Sequence, residues 1–303
     1  MAPLSQKVIR GLFGTAEHVA PTLAGRVAFE LFARTPNPNV LSDGARKAVE
    51  RASGFLSEAR RHCLTTRFGR VTAFEFRPDG GRRWRGTVLV LHGWASRTEF
   101  MKAIIEGCRA AGYRVISPDL PGHGHSAGRK LTLVSGLEAV RSVTEWFGPF
   151  HAVVGHSFGG AIAVNALAGS VKGIPPLEAE RLVLIAAPSS MPSVFEDFGK
   201  SVNLGKRSYG VFAGRVERIA GHPLEHYVGA RRLAELTVPT LVIHAPDDRE
   251  VAAGAAEDHA AAGAHVRLEW TPGLGHRRIL ADPGVVAKAV GFLSEHPAMR
   301  LAG

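Results

Sequence analysis

The sequence has few cysteines and no long hydrophobic run, and each absence excludes a class of protein. The chain of 303 residues contains 2 cysteines, Cys63 and Cys108, which form no C-x-x-C pair. This excludes a disulfide framework and fits a reducing compartment, so we expect a cytoplasmic protein. Every apolar run is too short to cross a bilayer, so we expect no integral membrane segment. Glu17, His18 and Arg26 interrupt the apolar stretch near the start, which argues against a secretory signal peptide.

Acidic residues are scarce relative to basic ones. The chain has 27 aspartates and glutamates against 37 lysines and arginines, which gives a net charge of +10. Such a charge could attract nucleic acid or a membrane surface. The basic residues are scattered, however, in short groups such as Arg60-Arg61 and Arg82-Arg83, and no block of like charge reaches five residues. We interpret them as solvated surface and expect no nucleic-acid partner.

Strand and helix patterns alternate through most of the chain. A hairpin pattern is followed by a continuous apolar run at 86–91, which is typical of a strand buried on both faces. Alternation of this kind predicts an α/β fold with a mostly parallel central sheet and helices on both faces. The predicted strands are 61–66, 71–76, 86–91, 113–117, 152–155, 181–187, 240–244 and 265–270, and the predicted helices are 98–111, 133–146, 159–168, 252–262 and 283–294.

The alternation is absent from two segments. Residues 188–237 contain scattered serine, glycine and aromatic residues, and we interpret them as a small helical cap inserted over the sheet. Residues 1–60 carry apolar residues at helical spacing, with one helix predicted from Ser42 to Phe55, and are interpreted as a helical extension packed against the core. An amphipathic segment lying on a membrane is the alternative interpretation of this extension. The core then comprises residues 61–187 and 238–303.

The most informative motif is a serine between two glycines. It reads Gly155-His156-Ser157-Phe158-Gly159 and lies between a β-branched strand pattern and a small-residue helix pattern. This pattern is typical of a nucleophile elbow, in which the serine takes a strained positive φ and the residues two positions away must be very small. Gly155 and Gly159 meet that need. An ordinary helix N-cap is the alternative interpretation of Ser157.

A serine nucleophile needs a base to take its proton and a carboxylate to orient that base. Two adjacent candidates for the carboxylate, Asp247 and Asp248, follow the strand pattern that ends at His244. The candidate base is His276, in a glycine-rich loop after the strand pattern that ends at Trp270. The order serine, aspartate, histidine along the chain is the one that elbow-type hydrolases use.

Two backbone amides are candidates for an oxyanion hole. The Phe158 amide lies at the start of the helix after Ser157, where the helix dipole favours negative charge. The second amide is expected in the loop His92-Gly93-Trp94, which follows the third predicted strand, and Trp94 is the candidate. We also expect the side chains of His92, Trp94 and Phe158 to line the substrate pocket.

Over roughly residues 62–300, the chain resembles the α/β-hydrolase fold family. Four separated motifs carry the resemblance: the His-Gly-Trp loop, the loop Asp-Leu-Pro-Gly-His-Gly-His-Ser that begins at Asp119, the serine elbow, and the aspartate and histidine loops. The resemblance implies a serine esterase-like or lipase-like member with a small cap. The first 60 residues lie outside it.

The resemblance also implies a role for each candidate residue. In the family the acid usually stands three residues before a valine, and here that residue is Asp248, with Val251. The proline that often follows the valine is Ala252 in this chain. Ser157 is then the nucleophile, His276 the base and Asp248 the orienting acid.

Neither a metal nor a cofactor is expected. His123 and His125 stand two residues apart, but no third ligand follows at a plausible spacing. Haloalkane dehalogenases and epoxide hydrolases of the family carry an aspartate at the elbow, whereas a serine forms an acyl-enzyme.

We therefore expect a serine hydrolase that cleaves carboxylic esters of small or medium acyl size, with a small-molecule ester as its partner. Three alternatives use the same triad: a thioesterase, an amidase or aminopeptidase-like enzyme, and a C–C bond hydrolase. From a different class, the chain could be a catalytically silent binding module built on the same fold. The sequence predicts no particular oligomeric state.

Overall fold

An eight-stranded sheet forms the centre of the computed structural model, which describes residues 3–81 and 84–295. The strands are β1 (Arg60–Thr66), β2 (Gly69–Phe76), β3 (Thr87–Leu91), β4 (Arg114–Pro118), β5 (Phe150–His156), β6 (Ala179–Ile185), β7 (Thr240–His244) and β8 (Val266–Trp270). Their order across the sheet is β1-β2-β4-β3-β5-β6-β7-β8. β2 runs antiparallel to β1 and β4, and the remaining neighbours are parallel. The predicted mostly parallel α/β sheet is confirmed.

Helices cover the sheet on both faces. The α-helices of the described residues are α1 (Pro3–Val19), α2 (Pro21–Ala33), α3 (Asp43–Arg51), α4 (Ser53–Ser57), α5 (Lys102–Ala110), α6 (Leu133–Phe147), α7 (Phe158–Leu167), α8 (Met191–Val202), α9 (Lys206–Ala220), α10 (Gly229–Ala234), α11 (Gly254–Ala260), α12 (Gly275–Arg278) and α13 (Pro283–Ser294). Short 3-10 helices occur at Asp79–Gly81, Thr98–Met101, Leu224–Tyr227 and Ile279–Ala281. Among the described residues, none of the helices combines the length and the apolar character that crossing a bilayer requires.

Two hydrophobic clusters pack against the two faces of the sheet. Alternate residues of β3 point to opposite sides, so Val88 and Val90 belong to one cluster and Leu89 and Leu91 to the other. All five residues of β3 are buried, as its continuous apolar sequence predicts. α5 and α13 complete the cluster around Val88, whereas α6, α7, α8 and α9 complete the cluster around Leu89.

The first two helices pack on α8 and α9, which lie between β6 and β7; these four helices are named the roof. Gly25 of α2 lies so close to α9 that a Cβ there would be 2.6 Å from the Val211 Cβ. Glu17 of α1 accepts hydrogen bonds from the Ser208 amide at 2.9 Å and from its hydroxyl at 2.5 Å, close to the N-terminus of α9. The Ser208 hydroxyl is the main reason that the pKa of Glu17 falls to about 2. The first half of the extension, α1 and α2, thus packs on α8 and α9.

Aromatic side chains fill the interior of the roof. Phe32 of α2 contacts Phe195, Phe198 and Phe212, with ring centroids between 5.1 and 5.8 Å apart. Tyr209 stacks on Phe212 at 5.9 Å. These rings form a local core that joins the extension to the inserted segment, because they come from both.

After α2 the chain passes to the other face of the sheet. Phe55 of α4 stacks on Phe76 of β2 with ring centroids 4.6 Å apart. α3 buries none of its residues, and its N-terminus is capped by the Ser42 hydroxyl, which accepts from the Ala45 amide. The single helix predicted over 42–55 is divided at Ala52, whose φ of −99° and ψ of 3° leave the helical region.

Candidate active site

Ser157 occupies a sharp turn between β5 and α7. Its φ of 51° and ψ of −125° lie outside the regions that ordinary side chains favour. A Cβ on Gly155 would lie 2.6 Å from the Gly160 Cα, and one on Gly159 would collide with the carbonyl oxygen of Leu91. Both positions therefore require glycine. Ser157 stands at the N-cap position of α7, but its side chain makes no capping hydrogen bond, which does not support the N-cap interpretation.

The two adjacent aspartates after β7 have different partners. Asp248 is buried, and its Oδ2 accepts a hydrogen bond from the His276 Nδ1 at 2.7 Å. Its Oδ1 accepts from the Glu250 and Val251 amides at 2.7 and 2.9 Å. Asp247 instead accepts from a backbone amide of the histidine loop at 2.7 Å. Only Asp248 contacts the candidate base.

The pKa of Asp248 is lowered, so the carboxyl stays ionised beside the histidine. Burial by itself would raise the pKa, but the hydrogen bonds from Val251 and His276 outweigh it. A charged carboxylate at this place holds the His276 ring with its Nδ1 protonated. The Nε2 is then left as the proton acceptor.

His276 reaches the sheet edge through the loop after β8. Gly273 and Gly275 take positive φ values of 84° and 60°, which lets the loop turn back towards β5. The His276 ring lies 4.8 Å from the ring of His156, the residue before Ser157. His156 donates from its Nε2 to the His276 carbonyl oxygen at 2.9 Å. Burial lowers the pKa of His156 to about 3, so it fixes the loop without adding a charge.

The loop after β3 is packed directly on the serine turn. A Cβ on Gly93 would lie 2.8 Å from the Ser157 Cβ. This close approach brings the amides of Trp94 and Phe158 to the same turn as the serine. Within the described residues, neither amide donates a hydrogen bond to another group. Both amides therefore remain candidates for an oxyanion hole.

Two buried histidines hold this loop from behind. His92 donates from Nδ1 to the Gly93 carbonyl at 2.8 Å and accepts at Nε2 from the Leu120 amide at 2.9 Å. His123 accepts from the Ala95 amide at 3.0 Å, and burial lowers its pKa to about 4. The prediction that His92 lines the substrate pocket is wrong, because its ring is fully buried and both its nitrogens are occupied.

One group of potential metal ligands occurs among the described residues, namely Glu99, Asp119 and His125. Asp119 already accepts hydrogen bonds from the amides of Thr98 and His125 and from the His125 ring. Glu99 pairs with Arg97 at 2.5 Å. These mutual contacts fix the loops behind the oxyanion-hole candidates and give the three residues a structural role.

A cavity of about 600 Å³ is bordered by His276, the candidate base, and by His156, the residue before Ser157. Its lining also includes Trp94, Glu250 and the face of α3 that carries Ala45 and Ala48. A second space of about 30 Å³, bordered by Phe158, lies beneath the roof. The large cavity thus borders α3 and not the inserted segment 188–237.

Sequence reasoning missed the part that α3 plays in this cavity. A usable signal existed in the small residues Gly44, Ala45, Ala48 and Ala52, which recur on one side of the predicted helix. Trp94 lines the large cavity. Phe158 meets the Trp94 ring edge to face at 6.1 Å and borders the narrow space instead.

The sheet order and the serine turn between β5 and α7 define an α/β-hydrolase fold. A model of the alpha/beta hydrolase family matches residues 88–289, which cover most of the sheet and the loops that carry the candidate site residues. The chain belongs to this family.

A comparison with curated proteins finds no match. Among solved structures, the chain is similar to an esterase (EaEST) from Exiguobacterium antarcticum, with 17% identity, a TM-score of 0.58 and coverage of 78% of this chain and 100% of that one. It is similar to Est1E from Butyrivibrio proteoclasticus, with 18% identity, a TM-score of 0.59 and coverage of 76% and 95%. It is also similar to a thioesterase domain from the curacin biosynthetic pathway, with 14% identity, a TM-score of 0.55 and coverage of 78% and 99%.

At these identities the likeness to solved structures shows the fold. Family membership and the neighbours together support a hydrolase of the α/β-hydrolase type.

Proposed function

We propose that the protein is a serine hydrolase that cleaves carboxylic esters of small or medium acyl size through an acyl-enzyme intermediate. The observation that carries the proposal is the strained turn at Ser157, which directly follows His156. The His156 ring lies 4.8 Å from the ring of His276, and the His276 Nδ1 donates to the buried Asp248. Strain of this kind persists only where the surrounding structure enforces it, and it clusters at active sites.

In the first half of the reaction, the Ser157 Oγ attacks the ester carbonyl carbon while the His276 Nε2 takes the hydroxyl proton. Asp248 stabilises the imidazolium that forms. The free amides of Trp94 and Phe158 bind the oxyanion of the tetrahedral intermediate. The intermediate collapses, the alkoxide leaves with the proton from His276, and the acyl group stays on Ser157.

In the second half, a water molecule attacks the acyl-enzyme. His276 takes one proton of the water and returns it to the Ser157 oxygen when the carboxylic acid leaves. The enzyme is regenerated, and the net reaction is ester plus water to acid plus alcohol.

The residues that line the large cavity are suited to bind an apolar acyl group. Phe100, Leu280 and Ala48 provide apolar surface in the same cavity as Trp94. A volume of about 600 Å³ is ample for a small or medium acyl chain. Two charged residues of the lining, Glu250 and Arg277, pair with each other at 2.9 Å.

Hydrolysis of p-nitrophenyl esters from acetate to laurate tests the proposal. The wild type is expected to show a maximum at one chain length, and Ser157→Ala is expected to lose several orders of magnitude in kcat/KM while keeping its thermal unfolding midpoint. A fluorophosphonate probe should label Ser157, as read by peptide mass spectrometry. A Ser157→Ala variant with full activity would refute the mechanism, and a folded wild type inert to every ester and to the probe would favour the silent binding module.

Thioesters would react through the same groups, and one structural neighbour is named a thioesterase domain. Comparing matched oxygen and sulfur esters of the same acyl chain separates the two. A kcat/KM ratio that favours the thioester beyond its intrinsic reactivity would move the assignment to thioesterase.

A further inference from the structure

Half of the large hydrophobic side chains exposed by the described residues lie on α1 and α2. The six are between 36% and 77% exposed, whereas the other six are scattered over the rest of the molecule. Those on the two helices, named the apolar stripe, are Val8, Leu12, Val19, Leu23, Val27 and Leu31. Contiguous exposed apolar surface of this kind marks an interaction site.

Helix periodicity places the stripe on the outward side of the roof. Val8 and Leu12 are four residues apart, as are Leu23, Val27 and Leu31, so each set forms a ridge along its helix. The opposite sides of the helices carry Phe13 and Phe29, which are buried against the rest of the molecule. The stripe therefore lies on the more exposed side of these helices.

A basic groove of about 350 Å³ lies beside the stripe, between α2 and α9. Three arginines line it, namely Arg26, Arg215 and Arg218. Arg215 pairs with Glu30 at 3.1 Å, and its buried Nε has no hydrogen-bond partner. Within the described part of the chain, Arg26 and Arg218 form no ion pair. Three guanidinium groups against one carboxylate make a site that suits phosphate.

The remaining charges of the two helices leave this surface positive. Lys7 and His18 are exposed on α1. The acidic side chains of α1 and α2 are both engaged, because Glu17 accepts from the first residues of α9 and Glu30 pairs with Lys130 and Arg215. The exposed ridge is thus apolar along its centre and cationic along its side.

We propose that the apolar stripe and the basic groove together form a docking surface for an anionic phospholipid bilayer. The stripe enters the boundary between headgroups and acyl chains, and the arginines of the groove bind headgroup phosphates. A second copy of this chain fits this surface less well, because pairing the stripes would bring two cationic grooves together.

Co-sedimentation with large vesicles tests the proposal, using phosphatidylcholine alone and phosphatidylcholine mixed with phosphatidylglycerol. The wild type is expected to bind the mixed vesicles at low salt and to lose binding as salt rises. The double variant Arg26→Gln/Arg218→Gln should bind about 30-fold more weakly, since each basic residue near such a surface contributes about 1 kcal/mol. The double variant Leu23→Ser/Val27→Ser should lose about tenfold or more.

Matched substitutions elsewhere on the surface serve as controls. Arg61→Gln/Arg70→Gln removes two exposed arginines of the β1–β2 hairpin, and Val40→Ser/Phe68→Ser removes two exposed apolar side chains outside the stripe. Both controls should bind vesicles as the wild type does. Circular dichroism verifies the fold of each variant. Vesicle binding is measured without any enzymatic assay, so the result does not depend on the proposed enzymatic function.

Three outcomes would overturn the proposal. The first is a wild type that fails to bind the mixed vesicles at low salt. The second is binding that the stripe and groove variants retain in full. The third is a wild-type dimer that becomes a monomer in the stripe variant, as measured by light scattering, which would assign the stripe to a second copy.

Discussion

The candidate catalytic edge of the sheet and the helical roof differ in how their contacts arise. At the edge, each candidate residue stands within a few residues of a strand end, so the sheet itself brings the partners together, as with Asp248 and His276, 28 residues apart, and His156 and His276, 120 residues apart. In the roof, Arg10 donates to the Lys200 carbonyl across 190 residues, and Glu17 accepts from Ser208 across 191. The difference teaches that the chemistry is encoded in short motifs, whereas the surroundings of the site depend on packing between distant segments.

The largest expected effect is a difference in kcat/KM between substitutions of the two adjacent aspartates, Asp247 and Asp248. Asp248→Asn should lower kcat/KM by about 10⁴-fold, because an amide no longer holds His276 in the tautomer that leaves Nε2 free. Asp247→Asn should cost far less, since Asp247 contacts only the backbone of the loop. Ester hydrolysis measured on both variants in parallel makes the comparison, and the reverse ranking would transfer the acid role to Asp247.

A substitution in the roof should change stability and leave the chemistry intact. Gly25→Ala places a Cβ against Val211 and the Ser208 carbonyl, and overpacking of this kind typically costs about 1–3 kcal/mol. Gly11→Ala is the matched control on α1, where a Cβ meets open space and the gain in helix propensity should stabilise by up to about 1 kcal/mol.

Urea unfolding measures the free energy of unfolding of both variants. Hydrolysis of a short ester tests whether the candidate active site is unchanged. Equal effects of the two substitutions on the free energy of unfolding would show that α2 does not pack tightly on α9.

The wall that α3 contributes to the large cavity should set the limit on acyl length. Ala48→Phe is expected to lower kcat/KM for long p-nitrophenyl esters by about tenfold or more while leaving the acetate unaffected, because added volume deep in a pocket excludes only substrates that reach it. Lys47→Phe is the control, since Lys47 precedes it on the helix and does not border the cavity. A uniform loss for every chain length would contradict this assignment of the wall.

The smallest expected effect is the pH dependence of the stability that Glu17 contributes to the roof. The pKa of Glu17 is about 2 in the folded protein against an ordinary value of 4.5, so ionised Glu17 contributes stability above pH 4.5 that is lost as the pH falls towards 2. Glu17→Gln should therefore lower Tm above pH 4.5, and the difference from the wild type should vanish near pH 2. A difference that stays constant over that range would argue against a role for the charge.

Sequence periodicity was sufficient to predict the sheet, because each strand and helix of the core is amphipathic or continuously apolar over its own length. The strand Thr240–His244 and the helix Pro283–Ser294 have the bounds that the pattern predicts. The serine turn is also local, since it requires Gly155 and Gly159 within two residues of Ser157. The choice of Asp248 over Asp247 came from the family resemblance, and only Asp248 bonds to His276 in the structure.

Other features depend on contacts that no local pattern contains. The buried His92 ring, for example, accepts a hydrogen bond from the Leu120 amide, which is 28 residues away in the sequence. The cavity wall formed by α3 depends on how the chain returns over the sheet after α2. The cap of α9 by Glu17 joins two segments that are far apart in sequence, and neither segment alone indicates the other.

The distance between the partners of the roof has a consequence during translation. α1 and α2 leave the ribosome before α8 and α9, and their partners on those helices follow about 190 residues later. At a synthesis rate of about 5–20 residues per second, this delay lasts roughly 10 to 40 s. During this delay, Phe13, Phe29 and Phe32 cannot pack against α8 and α9. The nascent chain then exposes these three side chains as a binding site for cellular chaperones.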